Sequence, residues 1–163
     1  MTAQSGLGTV AVMHETILSP MQLALAEAEA AAARGEVPVG AVVVSATGVV
    51  LAAAGNRTEA DHDPSAHAEM LALRAAARRL GSPRLTGCDL YVTLEPCAMC
   101  AQAISFARIR RLYFGARDPK GGGVEHGARV FAQPTCHHRP EVYGGMEEGK
   151  AAEMLRSFFK DRR

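Results

Sequence analysis

No apolar run in this chain reaches the ~18 uncharged residues of a membrane-spanning helix, because Arg and Glu interrupt every hydrophobic stretch. A bilayer-crossing helix is therefore not expected. Gly (16) and Pro (8) stay near average abundance, which argues against collagen-like and disordered classes. Trp is absent and aromatics make up only 5% of the residues, yet 163 residues at 48% apolar content can bury one core. Residues 1–18 have neither a Lys/Arg-rich start nor a long apolar middle, so no secretory signal is expected and the expected location is cytoplasmic. They read as a poorly ordered N-terminal extension without a chemical motif, ahead of one domain over residues 19–163. Cytosolic thiols stay reduced, so the four cysteines read as metal or redox candidates rather than a disulfide framework.

A charge excess is missing as well, since the formal net charge is +1. The layout along the chain is uneven. Arg74 to Lys120 holds nine basic residues against three acids, whereas the first 36 residues hold four acids and one Arg. Such a surplus fits a basic face that tracks a polyanion, and equally a scatter of solvated Arg side chains.

Ser19-Pro20 and the run to Gly35 predict a capped helix with Pro at its first position and a Gly stop. Two β-branched runs, Val39–Val44 and Val49–Ala52, flank a short turn and predict a hairpin. After the polar segment Asn56–Ser65, Asp63-Pro64-Ser65 offers capping chemistry for a second helix starting close to His67. Leu90–Leu94 predicts a strand, Pro96 opens a third helix, and Leu112–Phe114 predicts another strand. A final helix is expected over roughly Met146 to Phe159. The order α, β, β, α, β, α, β implies an α/β fold of three layers, with the crossovers through helices two and three making neighbouring strands parallel. Residues 118–140 are rich in Gly and Pro and read as a functional loop.

Two short segments carry chemistry: His67-Ala68-Glu69 at the start of helix two, and Pro96-Cys97-Ala98-Met99-Cys100 at the start of helix three. Cysteines three apart share a helix face, so Cys97 and Cys100 can reach one ion, with His67 as a third ligand. The amino end of a helix favours thiolates. Three protein ligands leave a coordination position open, the mark of catalytic zinc, which lowers the pKa of water from 15.7 to roughly 7. Glu69 is placed to move the proton. Together these groups predict hydrolytic deamination. Other readings of the same residues are a redox CxxC pair, or structural zinc completed by Cys136, His137 or His138. Cys88 reads as a buried small hydrophobe, and His14, His62 and His126 as surface or loop residues.

HxE followed by PCxxC is the signature of zinc nucleobase deaminases. With its flanks VPVGAVVV, DPSAHAEMLAL, LYVTLEPCAMC, RIRRLYFGARDPKGG and FFKDRR, the chain resembles the bacterial tRNA adenosine deaminases of the cytidine/deoxycytidylate deaminase superfamily over roughly residues 20–163. The resemblance implies a cytidine-deaminase-like α/β/α fold with a mixed central sheet, and one Zn2+ per subunit held at the amino ends of two helices by His67, Cys97 and Cys100. It implies Glu69 as proton shuttle, and Asn56, Val39 and the backbone of Ala68 lining the base pocket. On the residues alone, Asn56 could instead only shape a turn and Val39 would pass as core. The implied reaction converts adenosine to inosine at the wobble position of a tRNA anticodon, releasing ammonia. The implied partners are a tRNA anticodon stem-loop and a second copy of the chain. Arg117, Asp118 and Lys120, with Phe158, Phe159, Arg162 and Arg163 at the carboxyl end, resemble family positions facing the RNA, although one of Phe158 and Phe159 fits the core of the last helix equally. The segment after Lys120, GGGVEHGARVFAQPTCHHRPEV, departs from the family pattern. A free nucleobase or nucleoside deaminase of guanine or cytosine type is the alternative on this fold, and a zinc-stabilised RNA-binding module without catalysis is a third reading.

Overall fold

The computed structural model describes residues 17–162. The extension expected over residues 1–18 lies outside them except for Ile17 and Leu18, which are exposed, and His14 and Arg163 lie outside them too. In chain order the elements are α1 (Pro20–Ala33), β1 (Gly40–Val44), β2 (Val50–Gly55), α2 (Ala68–Leu80), β3 (Asp89–Leu94), α3 (Ala98–Phe106), β4 (Arg111–Ala116), a 3-10 turn (Val130–Ala132), β5 (Glu141–Gly144) and α4 (Glu148–Lys160).

The strands form one sheet in the order β2-β1-β3-β4-β5. β1 is antiparallel to both β2 and β3, and β3, β4 and β5 are parallel, so the sheet is mixed. The crossover through α3 gives parallel neighbours, as the sequence predicts. The crossover through α2 does not: β2 and β3 run in the same direction, but the antiparallel β1 lies between them. β5 is also absent from the sequence-based order. It is a four-residue edge strand whose residues alternate between exposed and half-buried, too short and too polar to stand out by periodicity.

Alternation along β1 divides the core. Ala41 and Val43 pack with α2 and α3, whereas Val42 and Val44 pack with α1 and α4. All five residues of β1 are therefore buried, as in a central strand covered on both faces. The result is three layers, with α1 and α4 on one side of the sheet and α2 and α3 on the other. The parallel β3 and β4 and the β1–β2 hairpin together set the starts of α2 and α3 side by side, and the site forms there.

Candidate active site

Both helix starts give up an ordinary cap. The N-cap of α2 is His67 and that of α3 is Cys97, and neither side chain bonds its own helix backbone. Instead they turn toward each other. His67 Nδ1 lies 3.6 Å from Cys97 Sγ and 3.5 Å from Cys100 Sγ, and all three donor atoms fall within 4.8 Å of one another. A tetrahedral zinc with bonds of about 2.0 Å to nitrogen and 2.3 Å to sulfur requires N···S edges of about 3.5 Å. The nitrogen and two sulfurs therefore fit zinc in both kind and spacing.

Charge at the site follows the same logic. The Cys97 thiol is held down to about 4, first by its hydrogen bond with Cys100 and then by His67, against the opposing effect of burial. Cys100 is pushed up by the hydrogen bond with Cys97 and by burial. A cation between the two sulfurs removes that conflict, since ligand thiols bind as thiolates. Glu69, in the first turn of α2, is buried, and burial pushes its carboxyl up to about 7 against the lowering effects of its own N–H and of His67. A carboxyl poised near neutrality suits proton transfer in both directions.

These groups open onto a cavity of about 310 Å3 lined by Val39, Asn56, His67, Glu69, Cys97 and Asp118, among others. That volume is near the lower end of ligand pockets and suits one small planar group. Asn56 Oδ1 accepts the N–H of Ala68 at 2.8 Å, so this side chain caps α2 in place of His67. Asp63, expected to cap the helix, instead accepts the N–H and hydroxyl of Ser65 one turn earlier. Ala68 is fully buried with its N–H already used, so it supports the pocket through Asn56 rather than presenting a free donor.

Among the described residues the metal-capable cluster contains only these three side chains. Cys136, His137 and His138 do not complete it. Cys136 Sγ donates to the His138 carbonyl at 3.2 Å and contacts Ser105 Oγ at 3.5 Å, while His138 Nε2 bonds the Ile109 carbonyl at 2.7 Å. Ser105 sits eight residues beyond Cys97, about 12 Å along the helix. All four cysteines are free, and Cys88 is buried as expected.

A family model of the cytidine and deoxycytidylate deaminase zinc-binding region matches residues 14–116. The chain is 61% identical to the tRNA-specific adenosine deaminase of Agrobacterium fabrum over 88% of this chain and 93% of that one. It is 47% identical to the enzyme of the same name from Aquifex aeolicus over 86% and 91%. The chain belongs to the cytidine and deoxycytidylate deaminase family, among its tRNA-specific adenosine deaminases. A solved structure from a study of A-to-I editing by tRNA:A34 deaminases superimposes with a TM-score of 0.82 at 61% identity, covering 83% of this chain and 98% of that chain. Guanine deaminase from Bacillus subtilis is more distant, with a TM-score of 0.61 at 28% identity, covering 88% and 91%.

The positions that the deaminase resemblance placed against RNA divide into two groups. Asp118 lines the cavity, while Lys120 lines a separate groove of about 710 Å3 with Arg156, Phe159, Lys160 and Arg162 of the α4 end. Arg117 is already engaged by Glu125 at 3.0 Å and Glu148 at 3.1 Å. Phe158 is buried, with the Arg162 guanidinium 3.5 Å from its ring centroid, and the exposed ring is that of Phe159. Phe158 thus belongs to the helix core and not to an outer face. The basic surplus is likewise spent internally in part: Arg110 pairs with Asp89 and Arg111 with Glu141.

Two carboxylates near the site had no role in the sequence reading. Glu36, buried just beyond α1, accepts the N–H groups of Ala60 and Glu59 and the Thr58 hydroxyl, fixing the segment that follows Asn56. Glu95 is buried between β3 and Cys97 and gathers the loop after β4. A charged residue lodged between apolar neighbours at the end of a buried element is the signal that marks both. His126, expected as a surface or loop residue, lies in the loop after β4, and its ring is bonded to Glu95 at 2.8 Å.

Proposed function

We propose that the protein hydrolyses adenosine to inosine at the first anticodon position of a tRNA, releasing ammonia. The observation that carries this reading is the His67, Cys97, Cys100 triangle beside the buried Glu69, in a cavity sized for one base. The 61% identity to a tRNA-specific adenosine deaminase selects the substrate class.

His67, Cys97 and Cys100 would hold the zinc, which when bound would supply a water nucleophile ionised near neutral pH. The Glu69 carboxyl would take up the proton released there, hand it to the adenine ring and carry a second to the amino group that leaves as ammonia. Asn56, with Oδ1 committed to Ala68, keeps its amide hydrogens for an edge of the base, and Val39 packs against the base face. An anticodon base is already unpaired, so turning it into the cavity costs little. Lys120, Arg156, Lys160 and Arg162 neutralise phosphates in the groove beside the cavity, and Phe159 offers a stacking face. Arg117 and Asp118 shape the loop between groove and cavity, and Arg163 extends the basic end of the chain. The protein acts in the cytoplasm as a homodimer; the exposed Met99 and Phe106 on α3 are apolar surface for such a contact.

The test is incubation of the zinc-loaded protein with an anticodon stem-loop carrying adenosine first in the anticodon. Inosine is the expected product, and none with zinc present overturns the reading. Free guanine and cytosine should remain unchanged; their turnover without turnover of RNA points to a free-base deaminase.

A further inference from the structure

The loop after β4 lies just beyond residues 14–116 matched by the family model, and it is also the wall between the base cavity and the basic groove. Asp118 and Gly121 face the cavity, and Lys120 faces the groove. The loop has little secondary structure to hold it in that position. Its backbone is gathered on one side chain from outside the loop, Glu95. Glu95 Oε1 accepts the N–H groups of Val124 at 3.3 Å, Glu125 at 2.8 Å and His126 at 3.0 Å. Oε2 accepts the N–H of Asp118 at 2.9 Å and faces His126 Nδ1 at 2.8 Å. A carboxylate oxygen offers only lone pairs, so Nδ1 carries the hydrogen in that bond.

The glycines show how closely the loop is drawn in. A Cβ on Gly122 would sit 2.5 Å from Glu95 Oε1 and 2.5 Å from the Asp118 carbonyl. A Cβ on Gly123 would sit 2.5 Å from the Ala98 backbone nitrogen, and the Gly123 N–H donates to the Pro96 carbonyl at 2.8 Å. The run Gly121-Gly122-Gly123 therefore lets the loop close onto the segment joining Glu95 to the start of α3.

We propose that Glu95 and His126 are positioning residues that fix the 118–126 loop as the shared wall of the base cavity and the basic groove, and so set the affinity for the RNA substrate. This rests on the functional reading given above. Glu95 also borders the cavity, but its side chain is fully buried with both oxygens committed to the loop, and His126 is not among the lining residues, so neither is placed to move the reacting proton. The loop carries the pocket wall at Asp118 and Gly121 and a phosphate-facing cation at Lys120. Loosening it misplaces substrate groups while leaving the metal and the proton shuttle intact, so the effect falls on KM more than on kcat.

His126 gives the cleaner test, since it lies far along the chain from the ligands. Steady-state kinetics on the adenosine anticodon stem-loop are measured for the wild type, His126→Ala and His126→Asn, with zinc content and thermal melting alongside. An Asn Nδ2 can donate from nearly the place of His Nδ1. KM should rise at least about tenfold in His126→Ala, the signature of binding lost equally from ground and transition states. kcat should stay within about threefold with one zinc per chain, and His126→Asn should recover most of the wild-type KM. Hydrogen exchange supplies a readout independent of activity: Glu95→Gln should expose the amides of Asp118, Val124, Glu125 and His126, whose acceptor is weakened. An unchanged KM in His126→Ala, or His126→Asn as defective as Ala, overturns the positioning role. A wild-type chain that makes no inosine overturns instead the functional reading on which the role depends.

Discussion

Asn56 Oδ1 accepts the backbone N–H of Ala68 at 2.8 Å, tying the loop after β2 to the first turn of α2. Arg34 secures the other side by donating to the Asn56 carbonyl at 2.8 Å. The carboxamide is thus fixed in one orientation before substrate arrives. Asn56→Ala should cost about 1–3 kcal/mol, the penalty of leaving the buried Ala68 donor unpaired. In a chain of this size that lowers Tm by several degrees. Deaminase kcat/KM should fall further than stability alone explains, because the amide that meets the base edge is lost too. Thermal melting and kinetics on one preparation check both, and a loss of stability with undiminished kcat/KM would remove Asn56 from the base pocket.

Glu69 touches the reaction without holding the metal. Glu69→Ala should reduce inosine formation by about 10²–10⁴-fold, the contribution of a placed proton-transfer group. Zinc content and stem-loop binding should remain at wild-type levels. Loss of zinc together with activity would place Glu69 among the ligands or their supports instead.

Metal removal separates the catalytic from the structural reading of the cysteines. The dialysed protein should hold one zinc per chain, lose deamination on chelation and regain it when zinc returns. Cobalt substitution should give the absorption of a site with two thiolates and one imidazole. Four protein donors in that spectrum would favour a closed structural site.

Much of this arrangement is legible in the sequence because it rests on local rules. Ser19 and Pro20 mark the start of α1, with Ser19 accepting from Gln22 in a capping box. The three-residue spacing of Cys97 and Cys100 implies a shared helix face. The elements that were not legible depend on distant partners. β5 is held by its pairing with β4, where Arg111 meets Glu141 and Tyr113 stacks on Tyr143. The tie between His126 and Glu95 spans 31 residues, and no periodicity reports such a contact. Phe158 and Phe159 are adjacent, and only the rotation of α4 decides which ring is buried.

Glu36 provides a pH signature. Burial alone would raise its carboxyl, but donations from Ala60, Glu59 and Thr58 and the charge of Arg34 outweigh burial and hold it below the ordinary range. The folded state therefore binds this proton more weakly than the unfolded chain. Its stabilising contribution is complete above the unfolded Glu value near 4.3 and is lost as pH falls through the lower folded value. Glu36→Gln should be less stable by about 1–3 kcal/mol at pH 7, and the gap to wild type should close on acidification below about pH 4.5. Denaturant melts across that range measure the gap, and a constant difference would show that Glu36 does not titrate in the transition.

The two phenylalanines of α4 make opposite predictions. Phe158 is 8% exposed and packed under Arg162, whereas Phe159 is 47% exposed and lines the groove that also holds Lys120 and Lys160. Phe158→Ala removes a buried ring and should cost about 3 kcal/mol, at the lower end for such truncations because Arg162 can settle into the gap. Phe159→Ala removes a ring that is half in water and meets Phe158 edge-on, so stability should change by no more than about 1.5 kcal/mol. If RNA follows the groove, that same change should weaken stem-loop binding by about 1–3 kcal/mol, the value of one base stacked on an aromatic ring. Binding titrations and melts on both variants decide the matter. Phe159→Ala with wild-type RNA affinity would move the RNA path away from this end of α4, leaving Lys120 and the loop wall as its nearest fixed points.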